Sequence, residues 1–543
     1  MASAELAYFF RHSVLRDAAY QLQLPADRAR LHAFAFSILE ILHGEFAHSA
    51  EAALELADHA SLGAIHDAAL APAEKRWLTE AAALAEQQST SDFAADLWLR
   101  VRALAANTPF EAIEATLNAA GNLLQAGRYK EAEQLLSDVS KNPMARITDL
   151  FKAAQHLSAV KLAQQRFAEA REDLALLRTR YSELIDPVMD LKLLTNEVLA
   201  GKADGAAGSE HLALQGIAKA RALNQQHILT TLRLNLANIY RLNGRARESL
   251  PILQDEFDAA WQRGANSWIV RIGINLAWTH LALDDVKAAR ACAEKIAPYV
   301  GDAGLVVRHA HEFLLSTISE NEGKGDEALD HLVVALDLVL ELGQVRDAAN
   351  TLHSVVLHCA KAGNRAEVSR WLTQFEQLAV TTQDIKALER YEAARSLDFG
   401  RRGENEKAFE ACQNALGYAR KLRAAREESL HLGNAGLHAT VLGLPDAEAN
   451  LQDARRLASS LGETYQLAWW EMRLAIVAAL QGRSVGERLA RVVQLLSGRF
   501  PPARLKREID SLQEQIARTS KARGVKLDAL SQELARLFEM ATA

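Results

Sequence analysis

Sulfur, proline and ring side chains are scarce in this sequence. Of 543 residues only 3 are cysteine and 10 are proline, and aromatics make up 6%. Cys292, Cys359 and Cys412 are far apart and odd in number, so neither a disulfide framework nor zinc spacing can be read from them. They read instead as small buried helix residues in a reducing compartment. Thin β-branched and aromatic content argues against a sheet-rich fold. The most apolar stretch, 467–480, is interrupted by Glu471 and Arg473 and falls short of the roughly 20 residues that a bilayer span needs. The opening MASAELAYFFRHSVLRD has no basic stretch followed by an apolar core, so it does not read as a secretory signal. These absences point to a soluble, cytoplasmic chain with no membrane partner.

Helix formers fill the space so left. Ala, Leu, Glu, Arg and Gln dominate, and charge is nearly balanced, with 62 Lys and Arg against 69 Asp and Glu. A chain this long would ordinarily divide into three or four compact domains, but repeat arrays escape that rule because each unit packs only on its neighbours. Internal repeats are therefore the first thing to seek. In LNAAGNLLQAGRYKEAEQLLSDV (117–139) apolar residues recur at helical spacing up to Leu124. Gly127 breaks the run, Tyr129 opens a second helix, and Ala132, Leu135 and Leu136 continue its inner face.

The plan recurs along the chain. The second helices carry anchor positions at Ser249, Ala289, Ala328, Val368, Ala408, Ala447 and Glu487, a stride that never departs from 39 or 40. Upstream, Ala95, Ala132 and Ala170 follow one another at a slightly shorter stride. The gap from Ala170 to Ser249 is twice the stride, so it requires one more unit near position 210. The segment 191–223 can supply it, with GKADGAAGS as a longer, flexible inter-helix loop. Small residues at helix crossings, such as Ala120 with Ala132, Ala237 with Ser249 and Ala277 with Ala289, allow two antiparallel helices to pack closely. Leu236, Leu276 and Leu315 fill the seams between pairs. The fold expected is all-α: an α-solenoid of about eleven antiparallel helix pairs in a right-handed superhelix. It divides into a junction segment 1–71, a repeat array 72–499 and C-terminal capping helices 500–543. In the last of these, Leu505, Ile509, Leu512 and Ile516 form an apolar stripe.

On these residues the chain resembles the tetratricopeptide repeat family over 72–497. It departs from the family in lacking most of its early Trp, in showing the closing Pro only at places such as Pro143, Pro187 and Pro298, and in a period nearer 40 than the family's usual length of about 34. Such long units resemble the sensor arms of bacterial signalling ATPases and transcription activators. The first residues carry a second likeness. Phe10, Arg11-His12, Ala19-Tyr20, Leu24-Pro25, Arg28, Arg30, Leu31-His32 and Glu55-Leu56-Ala57-Asp58-His59 resemble the segment that joins the winged-helix part of STAND-type ATPases to their helical repeats. That family has an ATPase core upstream, and here no stretch matches G-x-x-x-x-G-K-[ST]; Gly323-Lys324-Gly325 and Gly201-Lys202 lack the spacing of a phosphate cradle. The chain reads as part of a larger gene or as one that has kept only the arm.

Catalytic patterns are wanting. His309 and His311 are two apart on a helix and point in different directions, which does not suit a shared metal. His353, His358, His431 and His438 sit on first helices, where they fill space between units or face a ligand. Trp261, Trp268 and Trp278 crowd one region, and adjacent Trp469 and Trp470 cannot share one helical face. No glycine-flanked serine nucleophile and no isolated carboxylate pair stands out. The segment 483–543 is basic, with 12 Lys and Arg against 7 Asp and Glu, but an acidic chain without a compact basic patch does not read as a nucleic-acid binder. The expected role is an interaction scaffold that binds a peptide or partner domain on its concave face. The alternatives are the sensor arm of a STAND-type ATPase responding to a small effector, and an enzyme of unrecognised type. No catalytic, cofactor or metal residue is assigned.

Overall fold

A computed structural model describes residues 20–44, 46–88, 90–201, 206–301, 304–497 and 502–542. These residues form 26 α-helices and two short 3-10 turns, with no strand among them. The junction motif elements Phe10, Arg11, His12 and Ala19 lie outside the described residues. The chain divides into two compact units, Met1–Val160 and Lys161–Ala543.

The first unit opens with helices Pro25–His43 and Ala50–Gly63, then Ala71–Gln87, Ser91–Leu104, Pro109–Ala126 and Tyr129–Lys141. Pro25 stands at the first helical position, where its missing N–H is no loss. Trp77, Leu78, Leu56, Leu123 and Leu136 are fully buried in one core, each such side chain contributing about 1.5–3 kcal/mol. The sequence motif residues Tyr20, His32 and His59 do meet: Tyr20 Oη lies 2.9 Å from His32 Nε2, and His32 Nδ1 lies 2.8 Å from His59 Nδ1.

The second unit is a row of helix pairs whose second members include Phe167–Arg180, Ala246–Gln262, Val286–Val300, Gly325–Glu341, Arg365–Thr382 and Asn405–Lys421. Each helix packs on the next in sequence. In addition, the first helices of successive pairs touch one another: Gln226–Leu242 meets Asn266–Ala282, which meets Leu305–Asn321, and Val345–Lys361 meets Ile385–Arg402. The second helices up to Arg365–Thr382 and beyond to Ala447–Ser460 have no comparable contacts with each other. The first helices therefore form the crowded inner layer of this array and the second helices the splayed outer layer.

The anchors lie where the stride put them. Ala95, Ala132, Ala170, Ser249, Ala289 and Ala408 show no solvent exposure, and Ala328 and Val368 are buried. Ala120, Ala237 and Ala277 opposite them are equally closed off. Two expectations need correction. Glu487 is exposed; the linker before Gly486–Ser497 is longer than elsewhere, and the fourth residue of that helix, Leu489, takes the interior place. The missing unit consists of Pro187–Gly201 and Ala206–Ala222, so the end of GKADGAAGS is helix rather than loop. Ser209, its fourth residue, is buried, and a Cβ on Gly201 would sit 2.5 Å from Ser209 Oγ. That glycine permits the close crossing. Pro187 starts a helix and Pro298 lies inside the last turn of Val286–Val300, so neither closes a pair.

Leu505, Ile509, Leu512 and Ile516 bury their stripe in a cluster with Leu489, Val492 and Leu496. No helix among the described residues is long and apolar enough to cross a membrane.

Candidate functional site

The turns of the second unit determine what its inner layer carries. Most helices are followed by a residue with left-handed backbone, and the next N–H reaches back to close the helix. Arg245 N bonds to Tyr240 O at 2.8 Å and Asp285 N to His280 O at 2.9 Å, the 6→1 bond of a Schellman ending. Gly244, Gly323, Gly363 and Gly403 hold this position in most pairs, because glycine alone enters it without strain. Between pairs, where Gly264, Gly343 and Gly462 stand elsewhere, Asn224 (φ 53°) and Gln383 (φ 52°) also take it, Gln383 bonding back to Val380 O of its own helix. The other non-glycine residues that hold it are Gln165 (φ 58°) and Asp284 (φ 65°) within pairs and Arg423 (φ 51°) between pairs.

Those three residues have something in common that their sequence positions hide. Each makes a contact with a turn or helix end several repeats away. Gln165 Nε2 donates to Asp347 Oδ1 at 2.6 Å. Arg423 pairs with Glu172. Asp284 Oδ1 accepts from Arg507 Nη2 at 2.5 Å. Within this unit the row of pairs thus curls until distant turns meet, and at each meeting a strained non-glycine side chain makes the contact. Arg346 reinforces the first, donating to Gln164 O at 3.0 Å and to Asp384 at 3.1 Å. Burial pushes the Asp347 carboxyl up, opposed by the Gln165 hydrogen bond.

A cavity of about 530 Å³ lies at this convergence. Its wall includes Arg166, Arg346, Lys386, Lys421, Arg423 and Arg426 against Glu169, Glu172 and Glu427. It also holds the first turns of Phe167–Arg180, Ile385–Arg402 and Ala425–Leu442, whose N–H groups carry partial positive charge. Behind it is a closed ionic cluster. Glu389 is fully buried, 2.9 Å from Lys386 Nζ and 2.6 Å from His431 Nε2. Burial alone would raise the Glu389 carboxyl, but the His431 hydrogen bond and the Arg390 and Lys386 charges outweigh it and hold the group well below the usual carboxylate range. Lys386 extends to Glu427 at 2.8 Å, and Arg390 Nε donates to Asn350 Oδ1 at 2.9 Å. These bonds join residues about one repeat apart, so the inner layer is a polar ladder running from first helix to first helix.

A second cavity of about 440 Å³ adjoins it, since Leu242 and Arg426 line both. Arg241, Trp278, Asp284, Thr317, Asn321, Arg507 and Glu508 complete much of its wall. Arg426 is held by both oxygens of Glu463, at 3.1 and 3.2 Å. Tyr465 Oη donates to Glu508 at 2.9 Å.

The histidines expected on inner helices serve the packing. His431 and His438 are buried, one on Glu389 and the other 3.0 Å from Asn405 Oδ1. Burial lowers His438 to about 4 and His353 to about 3. His309 and His311 diverge, toward Thr351 and Ala293 O. Among the described residues no group of His, Cys, Asp and Glu is arranged to hold a metal. The three cysteines are free and buried, and burial pushes Cys292 and Cys412 up to about 11. Trp470 is buried and donates to Ser429 Oγ at 3.1 Å, while neighbouring Trp469 is half-buried. Sequence reading missed one regular feature: arginine just before a second helix, with glutamate three positions on. Arg128 and Glu131, Arg166 and Glu169, and Arg245 and Glu248 are all paired. The R-x-x-E spacing was its legible signal. The clasps had no such signal.

No family model and no curated protein matches the chain. Among solved structures it is similar to a Rap protein complexed with competence and sporulation factor, at 12% identity over 70% of this chain and 99% of that one, with a TM-score of 0.44. It is similar to a STAND protein with a tetratricopeptide repeat sensor from Pyrococcus horikoshii, at 14% identity over 81% and 74%, TM-score 0.38. It is also similar to NprR in complex with its cognate peptide NprX, at 13% identity over 67% and 99%, TM-score 0.35. At these scores the likenesses decide nothing about ligand or partner.

Proposed function

We propose that the unit Lys161–Ala543 is a binding scaffold without enzymatic activity, taking a peptide or a partner's extended segment along its inner helices. One observation carries this reading: side chains from turns far apart in sequence line a single cavity of about 530 Å³, richer in cations than in carboxylates. Polar side chains that line the cavity can pair with a peptide's main chain, and apolar spaces between helices can take its side chains. Lys421, the wall cation without a carboxylate partner among the described residues, favours an acidic segment. Panning a random-peptide library on the purified protein tests it. Selected peptides should be acidic and should bind a Lys421→Ala/Arg166→Ala variant at least tenfold more weakly by calorimetry. Selection of no binder, or of binders indifferent to that change, removes the support.

A second reading, the sensor arm of a signalling ATPase, is favoured by the other unit. On helix Pro25–His43 the residues Leu31, Phe34, Ile38 and Ile41 form one stripe and are 48%, 64%, 43% and 81% exposed. An apolar stripe left exposed among the described residues suits a docking surface. If a neighbouring gene encodes an ATPase core, its hydrolysis rate should change on mixing with this protein and not with an Ile41→Ser/Phe34→Ser variant; an unchanged rate would end this reading.

A further inference from the structure

One guanidinium in the second cavity has no carboxylate partner among the described residues. Three guanidinium groups line that cavity. Arg426 is matched by Glu463 and Arg507 by Asp284. Arg241 forms no salt bridge among the described residues. Its hydrogen bond is a weak one, Nη2 to Asn238 Oδ1 at 3.2 Å, and its Nε is buried with no partner. Arg241 is the penultimate residue of Gln226–Leu242, so the helix C-terminus offers it only a fraction of a negative charge. Burial, with Arg426 adding to it, lowers its guanidinium to about 10. A half-buried guanidinium with a buried, unpartnered Nε and a second cation beside it is destabilising on its own. Such a group persists where a ligand completes it.

We infer that the second cavity is a recognition site for a ligand with one carboxylate on an apolar body, its carboxylate paired with Arg241. Charge decides between a carboxylate and a phosphate. Of the three guanidinium groups only Arg241 lacks a carboxylate partner among the described residues, and the Glu508 carboxylate lining the same cavity disfavours a second negative charge on the ligand. A planar carboxylate matches two N–H groups of a guanidinium. The apolar body has its own wall, since Leu242, Trp278, Leu281 and Ala282 face the space beside Arg241. Thr317 and Asn321 supply hydroxyl and amide groups at its margin. The inference deepens the scaffold reading and rests on it where the carboxylate belongs to a peptide terminus. A free carboxylic acid would satisfy the same groups.

Thermal unfolding with defined probes tests it, at fixed ionic strength and pH 7.5. N-acetyl-leucine should raise the wild-type midpoint by a few degrees at saturation, and N-acetyl-leucinamide, lacking the charge, should not. Benzoate distinguishes the sources: stabilisation by benzoate as well marks a general carboxylic-acid site, and stabilisation by N-acetyl-leucine alone marks a peptide terminus. Inorganic phosphate should be weaker than either. Arg241→Met should unfold at or above the wild-type midpoint without ligand and should lose the response. Equal effects of acid and amide, a response kept by Arg241→Met, or a lower ligand-free midpoint for that variant would each overturn the inference. If it fails while library peptides still bind in the larger cavity, only this site is lost.

Discussion

At the scale of single residues, fit is decided by atoms that the sequence pattern treats as interchangeable. Gly433 lies in the interior of Ala425–Leu442, where glycine is costly by about 1 kcal/mol relative to alanine. Its reason is Trp470, one repeat away: a Cβ at Gly433 would lie 2.3–2.6 Å from three atoms of that ring. The ring is pinned by Ser429 Oγ and by Arg473 above its face at 4.8 Å. Gly433→Ala should therefore destabilise rather than stabilise, by about 1–3 kcal/mol, with a change in tryptophan emission. A urea midpoint at or above wild type would show that the ring can move aside. Helix periodicity showed only that Trp469 and Trp470 cannot share one face; nothing in the local sequence said which is buried, or that a glycine in the preceding repeat makes room for Trp470.

At the scale of elements, the informative unit is the turn. Left-handed backbone at a residue other than glycine or asparagine costs on the order of 1–3 kcal/mol and persists only where the surroundings repay it. At Gln165, Asp284 and Arg423 the side chain makes a contact with a distant turn or helix, whereas Gln383 bonds back to Val380 O of its own helix. Asp284→Gly separates the two effects. It relieves the strained turn while releasing Arg507, so the global midpoint should change by no more than about 1 kcal/mol. Amide exchange in Pro502–Arg523, which carries Arg507, should accelerate several-fold. If exchange there is unchanged, the Asp284–Arg507 pair does not hold that helix. Repeat numbering makes the turns easy to find, yet nothing in the stride sets Asp284 apart from the glycines that hold the same turn in other pairs.

At the scale of the whole molecule, most of the strongly displaced titrating groups lie in Lys161–Ala543. His309, His353 and His438 have folded values lowered by burial to about 4, 3 and 4. Below the ordinary value of 6.5 the unfolded chain takes up these protons and the native state does not, so stability falls as pH drops from about 6.5 toward 4. A histidine lowered from 6.5 to about 4 represents roughly 3 kcal/mol over that window. Glu389 adds a second stage. Its carboxyl is held below 4.5 in the native state, so its contribution is complete above 4.5 and is lost as pH falls further. Urea unfolding at stepped pH should show stability declining well above the carboxylate range, and His353→Gln/His438→Gln should flatten the decline between pH 6.5 and 4.5. A flat wild-type profile over that interval would contradict the burial of these rings.

The sequence by itself determined the elements and their stride. Composition leaves little but helix available, and anchors at so constant an interval can be met only by stacked hairpins, because the crossing of two helices demands a small side chain at one fixed place. That logic is local, and it held even at Ser209, where the loop was misjudged but the period was not. Tertiary structure alone decided where the row closes on itself, which turns meet, and therefore which side chains share a cavity. Arg241 and Arg426 stand several repeats apart in sequence, yet line one wall. What brings them together is the sum of small rotations over those repeats, a quantity that no single repeat encodes. The candidate site is for that reason a property of the stacked array, and its residues carry no motif.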